Sequence, residues 1–281
     1  MHTVTTTNTN CNQPIGVFDS GVGGLTVLRE LLRLLPEEDY IYLGDTARLP
    51  YGAKSPETVI RYALQSSRHL IDRGVKMLVI ACNTATSAAL PALEAAYPNI
   101  PVVGVVRPGA RAACAVNANG RMAVIATEAT VRGAAYQKAI LELCPDMHVE
   151  SLACPLFVAL AEEGWTEGDV VNAIIAKQLE PLLSRFGDQP PDSLVLGCTH
   201  FPVLAKSIIQ VVGPNVAVID SAATTAQEVK HLLHTRALYA NRTSCGHIGF
   251  LATDGPERFA RVGSIFLGRT LTPHDVSLVD L

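Results

Sequence analysis

Residues 77–84 read MLVIACNT, and residues 193–200 read SLVLGCTH. Each stretch is an apolar run that ends in a cysteine, Cys82 or Cys198, followed by small polar residues and a helical segment. Continuous apolar runs of this length are typical of strands that are buried on both faces of a parallel sheet. Two such units predict two related α/β lobes whose strand carboxyl ends form a ligand-binding edge.

The rest of the chain alternates in the same way between strand-like runs and segments with helical periodicity. The predicted strands are 15–18, 40–43, 77–81, 102–106, 122–126, 148–152, 193–196 and 216–219. The predicted helices are 25–35, 56–72, 87–97, 136–143, 167–186 and 224–238. This alternation predicts an α/β fold with two doubly wound lobes and mainly parallel sheets that face each other across a cleft.

The composition narrows the class of protein. The 281 residues are 48% hydrophobic and 17% charged, which is enough apolar material to build a core and excludes intrinsic disorder as the main state. The net charge is −4 and the basic residues are scattered, so a nucleic-acid partner is not expected. No apolar run approaches the roughly 20 residues that span a bilayer, and the N-terminal residues do not read as a signal peptide. We therefore expect no membrane partner and a cytoplasmic location.

Two of the seven cysteines stand in an unusual setting. The sequence has no C-x-x-C pair, so neither a disulfide framework nor a metal site is expected. Cys82 and Cys198 are each predicted at a strand-to-helix junction, where a helix dipole favours the thiolate. Side chains that can hold a carboxylate follow both of them. A single cysteine of this kind is most often an inert core residue, but two in matching contexts favour a functional pair.

A glycine-rich turn at Gly21–Gly24 follows Asp19 and Ser20 at the end of the first predicted strand. Such a turn lets the backbone approach an anionic ligand. It is also similar to a dinucleotide-binding fingerprint with Asp45 as the ribose acid, although the glycine spacing departs from that pattern. A tight turn capped by Asp19 is the alternative interpretation.

Five segments together, 18–25, 44–52, 81–86, 154–157 and 196–202, resemble the motifs of the aspartate/glutamate racemase family. The resemblance runs from about Ile15 to about Gly268. It implies cofactor-independent interconversion of L- and D-glutamate, and a supply of D-glutamate for peptidoglycan. It also implies a small-molecule substrate and a possible homodimer, and no metal or other cofactor.

The resemblance further implies a role for particular residues. Cys82 and Cys198 become catalytic bases on opposite sides of the substrate α-carbon, with Asp19 assisting the first and His200 and Glu162 the second. The expected substrate-binding residues are Asp19, Ser20, Tyr51, Gly52, Asn83, Thr84, Thr127, Thr130, Thr199 and His200. Because each enantiomer must meet one thiolate and one thiol, we expect the two cysteines to have matched environments.

The family fold implies a chain that crosses between lobes near Val106 and near Ile219. The expected organisation is a disordered tail at 1–13, a first lobe at 14–106 plus 219–270, a second lobe at 107–218 and a C-terminal tail at 271–281. Three other functions stay open: a racemase acting on aspartate, a non-catalytic amino-acid sensor, and an oxidoreductase that uses the glycine turn. Paired thiols argue against the sensor, because binding a dicarboxylate needs no acid–base pair.

Overall fold

The computed structural model describes residues 11–116 and 118–281, which form two parallel sheets with helices on both faces, as the α/β prediction requires. The described strands are β1 (Ile15–Asp19), β2 (Tyr40–Gly44), β3 (Met77–Ile80), β4 (Val102–Gly104), β5 (Arg121–Ala126), β6 (His148–Ala153), β7 (Ser193–Gly197), β8 (Ala217–Asp220), β9 (Ile248–Ala252) and β10 (Val276–Leu278). The described α-helices are α1 (Leu25–Leu34), α2 (Pro56–Ile71), α3 (Asn83–Ala96), α4 (Val106–Ala115), α5 (Glu128–Gly133), α6 (Ala135–Leu143), α7 (Pro155–Glu162), α8 (Asp169–Leu183), α9 (Ala205–Val212), α10 (Ser221–Thr235) and α11 (Pro256–Leu267).

The first sheet has the strand order β10-β9-β2-β1-β3-β4, and all its pairs are parallel. Side chains alternate across it, so Ile15 and Val17 face one core while Phe18 faces the other. Helices α1, α10 and α11 contribute buried residues to the first of these cores, and α2 and α3 to the second. Burial on both faces explains why these strands are continuously apolar.

The second sheet has the order β6-β5-β7-β8 and is also parallel throughout. Helices α4 and α6 cover one face, where Met122 and Val124 are buried. Helices α7, α8 and α9 cover the other face, where Ile125 and Leu196 are buried. This sheet therefore has its own pair of cores and forms a second lobe.

The crossings between the lobes differ in detail from the sequence prediction. Strand β8 pairs with β7 through Asp220, and α10 then packs on α1 of the first lobe. The predicted boundary at 219 thus falls inside a strand of the second sheet. The segment 271–281, predicted to be a tail, contains β10, which pairs in parallel with β9. Of the predicted N-terminal tail, residues 1–10 lie outside the described residues.

The carboxyl ends of the central strands in both sheets face the same cleft. Asp19 ends β1, Cys82 closely follows β3, Thr127 follows β5 and Cys198 follows β7. This edge is where parallel α/β sheets bind ligands, because no strand covers it and loops and helix starts converge there. Over the described ranges, 11–116 and 118–281, no helix is long and apolar enough to cross a membrane.

Candidate active site

A cavity of about 570 Å³ lies between the two lobes and is lined by residues from both. Most of the predicted site residues line it: Ser20, Tyr51, Gly52, Cys82, Asn83, Thr84, Thr127, Glu162, Cys198, Thr199 and His200. Asp19 and Thr130 are buried beside these residues rather than in the wall itself. The two cysteines come from different lobes, and each is only 5% exposed.

Cys82 lies at the start of a long helix. Its sulfur caps α3 by accepting a hydrogen bond from the Ala85 N–H at 3.4 Å, and it contacts Ser20 Oγ at 3.4 Å. Burial, followed by the charge of Asp19, raises the pKa of the Cys82 thiol to about 12, while the hydrogen bonds to Ser20 and Ala85 oppose the rise. At neutral pH this sulfur carries its proton.

Asp19 lies behind Cys82 and is fully buried. Its Oδ2 accepts a hydrogen bond from the Gly21 N–H at 2.9 Å, while its Oδ1 has no hydrogen-bond partner among the described residues. Burial raises the pKa of Asp19, although the charge of His200 and neighbouring backbone N–H groups oppose the rise. A buried carboxyl oxygen without a partner is costly unless a ligand group satisfies it, so Asp19 is suited to meet a polar ligand atom.

Cys198 has a charged environment. The His200 Nδ1 lies 3.8 Å from the Cys198 sulfur, and the opposite ring nitrogen donates to Glu162 Oε1 at 3.1 Å. Burial lowers the pKa of His200, but its contacts with Cys198 and Glu162 outweigh burial and raise that pKa to about 10. The imidazole is therefore cationic at neutral pH and stabilises negative charge on the adjacent sulfur.

Glu162 connects this histidine to the other lobe. The hydrogen bond from His200 lowers the pKa of Glu162 against the effect of burial, and Arg258 lowers it further. Arg258 on α11 donates to Glu162 Oε2 at 2.6 Å across the mouth of the cleft. Nothing in the sequence singled out Arg258, because an arginine on an amphipathic helix reads as a solvated surface residue.

Three threonine hydroxyls form a closed ring in the cleft. Thr84 Oγ1 lies 2.9 Å from Thr127 Oγ1 and 3.3 Å from Thr130 Oγ1, and the last two are 3.0 Å apart. Thr84 begins the first-lobe helix α3, while Thr127 caps the second-lobe helix α5. The ring joins the lobes directly, and two of its hydroxyls, those of Thr84 and Thr127, line the cavity where a carboxylate could accept from them.

The glycine turn packs against residues of the protein itself. A Cβ on Gly23 would lie 2.5 Å from both His200 Nδ1 and Thr199 Oγ1. Asp45, the candidate ribose acid, instead accepts hydrogen bonds from Tyr51 and Thr253 and forms an ion pair with Arg48 at 2.6 Å. Gly23 is thus explained by the close approach of the second lobe, whereas a Cβ on Gly24 would meet Asp19 and Ala81 of its own lobe. Asp45 is explained by the loop that presents Tyr51.

The other five cysteines do not line the cavity that Cys82 and Cys198 share. All seven cysteines lie in the described part of the chain and are free, and Cys154 is buried at the start of α7. In residues 11–116 and 118–281, no group of three or more His, Cys, Asp or Glu side chains is placed to hold a metal ion. The ionisable groups at the cleft are therefore the two thiols and the acids, histidine and arginine beside them.

The fold and the cleft define a two-lobed α/β protein with a cavity between two parallel sheets. The chain belongs to the Asp/Glu/Hydantoin racemase family, whose model matches residues 15–229. A curated glutamate racemase from Geobacter metallireducens is 49% identical over 257 residues, which cover 92% of this chain and 93% of that protein. The resemblance seen in the sequence is thereby confirmed.

Solved structures agree over almost the whole length. The glutamate racemase isoform RacE1 from Bacillus anthracis superposes with a TM-score of 0.90 at 38% identity, covering 97% of this chain and 99% of the other. The glutamate racemase from Francisella tularensis, solved in complex with D-glutamate, superposes with a TM-score of 0.86 at 36% identity and covers 96% and 98% of the two chains.

Proposed function

We propose that this protein is a cofactor-independent racemase that interconverts L- and D-glutamate by proton transfer at Cys82 and Cys198. The observation that carries the proposal is the position of the two thiols, which belong to different lobes and line one cavity of about 570 Å³. Inverting a stereocentre requires a base on one face of the α-carbon and an acid on the other, and two thiols can exchange these roles.

In the L-to-D direction, the Cys198 thiolate removes the α-proton and the electron pair moves into the α-carboxylate. The Cys82 thiol then donates its proton to the opposite face and becomes the thiolate. In the D-to-L direction the two sulfurs exchange roles. This assignment of each sulfur to one enantiomer rests on the family resemblance, and His200 and Asp19 are the proposed assistants of Cys198 and Cys82.

The developing charge on the substrate needs stabilisation, because the α-proton of an amino acid is only very weakly acidic. Asn83 and Thr84 lie in the first turn of α3, whose N-terminal partial positive charge favours an anion. Hydroxyls of Ser20 and Thr199 also line the cavity. Fixed donors of this kind stabilise an oxyanion more effectively in a closed site than water does.

The proposed substrate is glutamate because the curated relative at 49% identity and the superposed structures are named glutamate racemases. Aspartate is the nearest alternative, and comparing the two substrates at equal concentration distinguishes them. A non-catalytic sensor is distinguished by proton exchange, because it binds glutamate without exchanging the α-proton.

The product D-glutamate would supply peptidoglycan synthesis and so cell shape. A reducing cytoplasm suits a site that depends on free thiols.

The decisive experiment follows the α-proton. Purified protein in D₂O, with no added cofactor, should convert each enantiomer of glutamate into the other and place deuterium at the α-carbon. Optical activity reports inversion and proton NMR reports exchange. The proposal is wrong if activity disappears on dialysis and returns only with pyridoxal phosphate or a metal ion.

A further inference from the structure

A tyrosine of the second lobe contacts the amide of Asn83. The hydroxyl of Tyr136, on α6, donates a hydrogen bond to Asn83 Oδ1 at 2.7 Å. The other end of the same amide, Nδ2, is buried and has no hydrogen-bond partner among the described residues, although Asn83 lines the cleft. We propose that Tyr136 is a positioning residue that turns the Asn83 amide so that its N–H donors face the substrate carboxylate.

The direction of this hydrogen bond follows from the single proton of the phenol. Burial raises the pKa of Tyr136, so the phenol keeps its single proton at neutral pH. An amide oxygen can only accept, so that proton goes to the Asn83 carbonyl oxygen 2.7 Å away. An amide turned the other way would present an oxygen to the carboxylate and repel it.

The ring of Tyr136 is held by close backbone contact on two sides. A Cβ on Gly197 would lie 2.9 Å from one ring carbon, and a Cβ on Gly109 would lie 3.3 Å from another. Gly197 ends β7 immediately before Cys198, and Gly109 lies in α4. A side chain packed this tightly keeps one rotamer, which is the requirement for a group that orients a binding residue.

The test is Tyr136→Phe, which removes the hydroxyl and keeps the ring between the two glycines. The inference rests on the proposed function, so glutamate is the ligand. We expect KM for both enantiomers to rise about tenfold while kcat changes less than about twofold, because the lost bond orients a binding donor. The dissociation constant for D-glutamate, measured by calorimetry, should rise by the same factor.

Tyr40→Phe is the matched control. Tyr40 is equally buried, and its hydroxyl donates to the Leu35 carbonyl away from the cleft. We expect this variant to lose thermal stability as Tyr136→Phe does, but to keep wild-type KM. If loss of any buried hydroxyl altered binding, the two variants would change KM alike, and the positioning role would be wrong.

A double-mutant cycle gives the sharper result. Because Tyr136 acts through Asn83, Tyr136→Phe should weaken binding no further once Asn83→Ala is present. Gly109→Ala leaves both side chains in place, but its methyl would lie 3.3 Å from the Tyr136 ring and 3.4 Å from its hydroxyl. It should raise KM about threefold by displacing the phenol, which keeps the proposal testable if Tyr136→Phe unfolds. This inference alone is overturned if the effects of Tyr136→Phe and Asn83→Ala on binding are additive. It is also overturned if KM is unchanged in both Tyr136→Phe and Gly109→Ala. Wild-type protein that neither binds nor racemises glutamate overturns the proposed function and this inference with it.

Discussion

The two cysteines occupy equivalent places in their lobes but have different surroundings. Cys82 is the N-cap of the fourteen-residue helix α3, whereas Cys198 precedes a short 3-10 helix and α9 begins only at Ala205. The neighbours of Cys82 are hydroxyls, an N–H group and the buried Asp19, while Cys198 contacts His200. The expected matched environments are therefore not what the structure shows.

This difference gives the two thiols different electrostatic surroundings. Burial and Asp19 raise the pKa of Cys82 to about 12, so that sulfur holds its proton. The cationic His200, paired with Glu162 and Arg258, compensates negative charge on Cys198. The two thiols thus face unlike groups, a buried carboxyl beside Cys82 and a cationic imidazole beside Cys198.

The largest expected effect comes from removing either thiol. Cys82→Ala and Cys198→Ala should each lower kcat/KM by at least about 10⁴-fold in both directions, because inversion needs both groups and the equilibrium constant is unity. One-sided exchange can survive: Cys198→Ala should still exchange the proton of D-glutamate, and Cys82→Ala that of L-glutamate. Deuterium incorporation followed separately from optical rotation separates the two processes.

Cys154→Ala is the control for the loss of a buried thiol. Cys154 is as buried as the other two but does not line the cavity. We expect it to keep racemisation within about threefold of wild type, since the change removes one buried sulfur atom that does not line the cavity. Near-normal racemisation in either Cys82→Ala or Cys198→Ala would return both cysteines to the class of inert core residues.

The second-largest effect tests the role of His200 beside Cys198. His200→Asn should lower kcat/KM by about 10²-fold in both directions, because the cation that stabilises the Cys198 thiolate is lost. The asymmetry should appear in the primary isotope effect, which should grow more for α-deuterated L-glutamate than for the D-enantiomer. Equal isotope effects from the two enantiomers would show that His200 serves both sulfurs alike.

A smaller effect should follow from crowding His200 without removing it. The methyl of Gly23→Ala would lie against His200 and Thr199, so we expect kcat to fall roughly tenfold through misplacement of the imidazole. Gly249→Ala is the matched control, because a Cβ there meets no atom within 4 Å. Full activity in Gly23→Ala would mean that the lobes adjust to the added methyl.

The smallest expected effect is a shift in the pH dependence of folding stability. The pKa of His200, raised from 6.5 to about 10, means that its ion pair stabilises the folded protein fully below pH 6.5 and that this stability is lost as the pH rises through about 10. Glu162→Gln removes one of the raising charges, so the loss should still begin near pH 6.5 but be complete about one pH unit lower. Thermal unfolding between pH 6 and 10 measures the shift, and identical curves would contradict the pairing.

Much of the fold follows from local patterns, and the exceptions have local causes. The eight predicted strands are all present, whereas β9 was missed because a glycine interrupts its short apolar run, and β10 because it has only three residues. Five of the described α-helices were not predicted: α4, α5, α7, α9 and α11. Helices α5, α7 and α9 have only six to eight residues, too few for a clear periodicity. Helix α4 was missed because it contains Pro108 and Gly109, which disfavour a helix in isolation. Proline is tolerated there because it lies in the first turn.

The residues of the candidate site could be predicted from the sequence only where they belong to short motifs. The strand-ending cysteines and their polar neighbours are contiguous in sequence, so position alone indicated them. Arg258 contacts Glu162 across 96 positions, and Tyr136 contacts Asn83 across 53, so no local pattern joins either pair. Tyr136 has the signature of a core aromatic, and only its hydroxyl in the structure reveals a contact with the cleft.

The ring of Thr84, Thr127 and Thr130 has a consequence for how the protein unfolds. Its hydroxyls bond to one another across the lobes, and a bound carboxylate would accept those protons after simple rotation about the C–O bonds, within nanoseconds. The ligand then replaces direct bonds between the lobes and becomes part of their connection. Saturating substrate should therefore raise the melting temperature of the protein.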